Sequence, residues 1–170
     1  MFSDSIKNNI KFGKEEATDD DVIEAAKNAK VHKNIIGFTK GYDTVLGERG
    51  ITLSGGQKRR LNIAIGLLNN PKIIYFDEPT VGVDPKSRNE ILQTIKSYKE
   101  LGITVIYTSH YMNEIEKICD EVAIIDKGKL VEQDTLENLL SNKVSDKVSI
   151  EVIYSEALHQ LKLDFKDELT

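Results

Sequence analysis

Three short apolar runs, set apart by helix-like patterns, constrain this chain more than any other feature. Ile73-Ile74-Tyr75-Phe76, Ile103 to Tyr107 and Glu121 to Ile125 each have the length and composition of a strand. The first two are separated by a strong helix start, Asp84-Pro85, and by Ile91, Leu92, Ile95 and Tyr98 at helical spacing, with Gly102 as the stop. Met112, Ile115 and Cys119 mark a shorter helix before the third run. Strands alternating with helices predict a parallel sheet with helical crossovers, an α/β fold in which Ile73 to Phe76 is a buried strand. Beyond the third run, Asp126-Lys127-Gly128-Lys129 turns the chain into Leu130-Val131.

Upstream of the first run the pattern is helical. Thr18 to Asp21 can form a capping box, and Val22, Ala25, Ala26 and Ala29 follow at helical spacing. Residues 37–50, with four glycines, read as loop. Ser54-Gly55-Gly56 opens the next helix, whose predicted apolar face is Leu61, Ala64, Ile65 and Leu68, and Pro71 closes the region. A short capped helix is expected after Asp134. Val148, Ile150, Val152 and Tyr154 alternate like a half-buried strand. The chain thus divides into a helical part over 1–70, an α/β part over 71–142 and an appendage over 143–170.

Bulk properties remove several functions. The 170 residues include 23 basic and 28 acidic side chains, a net charge of −5. That balance argues against a nucleic-acid partner, whose binders carry a basic stripe. No apolar run approaches the ~20 residues of a membrane-spanning helix, so direct membrane insertion is not expected. The sole cysteine, Cys119, has no intrachain partner, which fits a reducing compartment.

Four features carry chemistry. Leu53-Ser54-Gly55-Gly56-Gln57 precedes an amphipathic helix. Glycines allow close approach to an anion, Ser54 offers a hydroxyl, and a helix start presents free N–H groups. A plain helix cap explains the same residues. The run Ile73 to Phe76 ends in Asp77 and Glu78. A strand end in an α/β sheet faces the ligand crevice, where one carboxylate can hold a cation and its neighbour can orient a water. The bland alternative is a polar loop start. Asp84 is fully explained as an N-cap. His110, beyond the second run, gains interest only from its place at another strand's carboxyl end.

Together these residues resemble the ABC ATPase family over about residues 1–140. Leu53 to Gln57 is similar to its signature motif, and Ile73 to Glu78 to its Walker B strand with the catalytic glutamate. Val81 to Asp84 resembles the D-loop, and His110 the switch histidine. The resemblance implies a partial P-loop NTPase fold, with a helical subdomain over 1–70 and a catalytic half with an incomplete parallel sheet over 71–142. It implies that Ser54 and Gly56, flanked by Leu53, Gly55 and Gln57, face the γ-phosphate of ATP held by an opposing subunit. Asp77 would help hold Mg²⁺, Glu78 would polarise the hydrolytic water, His110 would touch the γ-phosphate, and Asp84 would lie at the subunit interface. The implied partners are a second ABC ATPase domain and a transmembrane transporter subunit, which would hold the chain at the cytoplasmic side of a membrane.

A P-loop needs Gly, four residues, Gly-Lys and then Ser or Thr. The Gly-Lys pairs, Gly13-Lys14 and Gly128-Lys129, are followed by Glu15 and Leu130, so neither qualifies. The chain is therefore expected to begin within the helical subdomain and, alone, to be inactive toward ATP. In the family the P-loop strand lies between those resembling 103–107 and 121–125, so a gap in the sheet is expected. Residues 1–53, including Thr44 to Gly50, resemble exporters with fused membrane domains, whereas 71–140 resemble separate-subunit drug or antibiotic export ATPases. The competing readings are a non-catalytic ABC-like interaction module and an engineered or recombinant chimaera.

Overall fold

The computed structural model describes residues 2–47 and 52–141. Three helices open the chain: α1 (Ile6–Lys11), α2 (Asp19–Asn28) and α3 (His32–Ile36). Helix α2 begins as its sequence predicts. The Thr18 hydroxyl accepts from the Asp21 N–H at 3.2 Å, and the Asp21 carboxylate accepts from the Thr18 N–H at 2.8 Å. Helix α4 (Gly55–Leu67) lies across α1 and α2. Ile6, Ile10, Val22, Ala26, Leu61 and Ala64 meet there and are almost wholly buried. The inward face of α4 also takes in Ile63 and Leu67, while Ile65, expected inside, is half-buried. Residues 37–47 are mostly loop, with one 3₁₀ turn at Gly41–Asp43 and a bridge between Ser5 and Val45.

The second half alternates β1 (Ile73–Asp77), α5 (Pro85–Ser97), β2 (Thr104–Thr108), α6 (Met112–Ile118), β3 (Glu121–Asp126), β4 (Lys129–Thr135) and α7 (Leu136–Ser141). Strands β1 and β2 pair in parallel, as the crossover pattern requires. Gly102 ends the α5 region at φ +71°, a conformation that favours glycine. Helix α5 buries Ile91, Leu92 and Ile95, and the Tyr98 that follows is fully buried and stacks on Phe76 of β1.

Two expectations are corrected. The third strand does not join the parallel sheet. β3 pairs antiparallel with β4 through a tight turn at Lys127-Gly128, with φ values of +48° and +75°, and its other edge meets no strand among the described residues. Among the described residues no strand bridges β2 and β3. The strands are also not buried on both faces. Ile73 is 51% exposed and Tyr75 72%, since only the face carrying Phe76 meets the helical core. The strand expected over 148–154 and the appendage over 143–170 lie outside the described residues.

Candidate functional site

The register of β1 and β2 sets Asp77 opposite Thr108, so both strands end on the same side of the sheet. The Thr108 hydroxyl donates to Asp77 Oδ1 at 2.6 Å. Glu78 leaves the strand at φ +44°, a left-handed conformation that costs a non-glycine residue on the order of 1 kcal/mol. Its N–H donates to the Thr108 carbonyl at 3.2 Å, which holds the turn against the end of β2. Glu78 Oε1 then lies 2.5 Å from His110 Nε2. Both side chains reach solvent, His110 at 83% exposure and Glu78 at 36%. Two strand ends have thus brought a carboxylate and an imidazole, 32 residues apart in sequence, into direct contact.

The Leu53 to Gln57 segment starts α4. Leu53 is buried and anchors the turn. The Ser54 hydroxyl accepts from the Gln57 N–H at 3.2 Å, and Gln57 Oε1 accepts from the Ser54 N–H at 2.9 Å, a complete capping box. The cap reading is therefore correct, and it occupies the Gln57 amide oxygen. It leaves the Ser54 O–H free to donate. The N–H groups of Gly55 and Gly56 have no backbone acceptor among the described residues, as expected for a first helical turn.

Glycine is required at 56 for packing alone. A Cβ there would stand 2.6 Å from Cβ of Ser87, and one on Gly55 would stand 3.7 Å from the Gly82 carbonyl oxygen. The start of α4 therefore sits directly against the loop and first turn of α5. Asp84 caps α5 by accepting from the Ser87 N–H at 2.9 Å, and this bond holds its carboxyl below the usual carboxylate range. Further along, Arg60 of α4, only 7% exposed, pairs with Glu90 of α5.

One residue at the site was not singled out in the sequence. Glu114 of α6 is 1% exposed, yet three hydroxyls donate to its carboxylate: Thr80 at 2.7 Å, Tyr107 at 2.7 Å and Ser109 at 2.8 Å. Arg88 Nε lies 3.7 Å away. Burial pushes this carboxyl's pKa up, but the three donors and the guanidinium together outweigh it and hold it low. A glutamate in the first turn of a short helix reads as solvent-facing. Only the Thr80-Ser109 neighbourhood, invisible in linear order, marks it.

The donor set does not by itself make a Mg²⁺ or triphosphate site. Among the described residues no three His, Cys, Asp or Glu side chains converge to hold a metal ion. Asp77 offers one exposed carboxylate, half engaged by Thr108. That fits a single protein ligand to Mg²⁺, which commonly takes the rest of its shell from waters and phosphates.

A bacterial Atm1-family ABC exporter with ATP bound superposes with a TM-score of 0.72 at 34% identity, covering 95% of this chain and 26% of the exporter chain. Residues 2–81 of this chain match the ABC transporter family. The multidrug resistance-like ATP-binding protein MdlA of Buchnera aphidicola is 40% identical over 143 residues, 84% of this chain and 24% of MdlA. The linearmycin resistance ATP-binding protein LnrL of Bacillus subtilis is 50% identical over 97 residues, 57% of this chain and 31% of LnrL. The chain thus spans from about a quarter to just under a third of these relatives' lengths. Identity is higher to LnrL over a shorter stretch and lower to MdlA over a longer one.

Proposed function

We propose that this ABC ATPase chain contributes the signature and catalytic-carboxylate half of a composite ATPase site that drives export across a membrane. The observation that carries the proposal is the 2.5 Å contact between Glu78 and His110 at two paired strand ends, beside Asp77. In this reading Ser54 and the free N–H groups of Gly55 and Gly56 face the γ-phosphate of ATP held by a second ABC ATPase domain, where the helix dipole favours negative charge. Leu53 and Gln57 hold that turn in shape. Asp77 supplies one ligand to Mg²⁺. Glu78 orients and polarises the attacking water, and His110 keeps the Glu78 carboxylate aimed while its own ring approaches the γ-phosphate. Asp84 lies at the domain interface. The P-loop comes from another polypeptide or another segment, and a transmembrane partner tethers the assembly to the cytoplasmic face.

Mixing this chain with an intact P-loop-bearing ABC ATPase and measuring ATP turnover tests the reading. Turnover should exceed that of the intact subunit alone, and Ser54→Arg in this chain should remove the gain. A gain that survives Ser54→Arg sinks the half-site reading and favours a non-catalytic interaction module. Calorimetry on the chain alone should find weak or negligible ATP binding.

A further inference from the structure

The buried Glu114 carboxylate lies beneath the site and bonds to both loops that carry it. Thr80, two residues after Glu78, donates to Oε1, and Ser109, adjacent to His110, donates to Oε2. The Ser109 hydroxyl also accepts from the Tyr111 N–H at 3.0 Å, so one oxygen pins the turn on which His110 stands. Arg88 of α5 lies against the same carboxylate and over the Tyr111 ring, 5.1 Å from its centroid. Among the described residues its buried Nε has no hydrogen-bond partner, so at that nitrogen charge and stacking act rather than a direct bond.

We propose that Glu114 is a positioning residue that sets the Glu78–His110 contact by tying the loop after β1 to the loop after β2 through Thr80 and Ser109. The physical reason is the cost of its placement. A carboxylate removed from water must keep nearly every acceptor position satisfied, so moving either loop strips a donor from a buried charge. Such an anchor resists small displacements more steeply than apolar packing does. The Tyr107 hydroxyl bonds equally short, at 2.7 Å, but comes from within β2 rather than from either loop. It contributes to the stability of the carboxylate without linking the two catalytic groups.

The inference rests on the proposed catalytic roles for its consequence, while its geometry is testable without them. In the 170-residue chain, nuclear magnetic resonance of the His110 imidazole reports the contact directly, because Glu78→Gln should shift the ring nitrogens. That response should fall to about half or less in Thr80→Val and Ser109→Ala backgrounds and nearly vanish in Glu114→Gln, the pattern of a double-mutant cycle between coupled sites. Tyr107→Phe should leave the response intact. If Tyr107→Phe weakens it as much as Thr80→Val or Ser109→Ala, Glu114 is a structural acid only. If Glu114→Gln unfolds the chain, the Thr80, Ser109 and Tyr107 variants decide the matter.

In the mixed turnover assay, Ser109→Ala should lower kcat by about tenfold with KM little changed. Glu114→Asp, which keeps the charge and shortens the arm, should restore part of the imidazole response lost in Glu114→Gln. A mixture showing no turnover at all would count against the proposed function, while the resonance measurements would still support or overturn the positioning role.

Discussion

The helical half and the strand half of this chain stand in opposite states of completion. In the first, α1, α2 and α4 enclose Ile6, Ile10, Ala26 and Leu61 with 1% exposure or less. In the second, Ile73, Tyr75, Ile125, Leu130 and Val131 are each more than half exposed, and the two strand pairs do not meet. Helices satisfy their backbone hydrogen bonds internally and need only cover an apolar stripe. A strand needs a neighbour on each side, so a parallel sheet missing one member leaves edges and faces open. Helix α5 is the exception that links the halves, because it packs on β1 through Tyr98 and on α4 through Ser87 and Glu90.

Five substitutions, one of them a rescue, can break or sharpen that contrast. Leu61→Ala, in the closed helical core, should cost about 2–5 kcal/mol of unfolding free energy in chemical denaturation, and a loss below 1 kcal/mol would show the core to be loose. Gly56→Ala should cost about 1–3 kcal/mol through overpacking against Ser87, and Ser87→Gly should recover much of it. Without that recovery, the close approach of α4 and α5 is not what glycine serves. Asp84→Ala removes the cap of α5 and should cost about 1 kcal/mol, with its effect fading below the carboxyl's titration as the cap is protonated. Ile125→Ser, on the open β3–β4 hairpin, should change stability by less than about 0.5 kcal/mol and reduce light scattering on concentration. A large destabilisation there would mean that the hairpin face is covered after all.

How much of this was visible in linear order differs between residues. The capping box at Thr18 and the caps at Ser54 and Asp84 were readable because each is closed within four residues. The pairing of β1 with β2 followed from the crossover helix between them. The turn at Asp126-Lys127-Gly128-Lys129 was readable too, but the separation of β3 from the β1–β2 pair was not, since a third apolar run can add to a parallel sheet or pair only within its own hairpin. The exposure of Ile73 and Tyr75 was misread, because a run of apolar residues states an appetite for burial and not whether a partner is present to meet it.

The candidate site divides in the same way. Asp77, Glu78 and His110 were identified in the sequence, and their types and order carried the family resemblance. Their contact was not, nor was Glu114, whose three hydroxyl donors come from the loop after β1, from β2 and from the loop before α6.

By itself, the sequence determined where α2, α4 and α5 begin, though not α1 or α3, which acids and histidine end the strands, and that no P-loop pattern occurs in these residues. Only the tertiary structure decided which strand pairs with which, which apolar faces stay open, and which charge lies buried under the site. Caps and turns are short-range and close within a few residues. Pairing, exposure and the burial of a charge depend on groups that only the folded chain brings within a few ångströms.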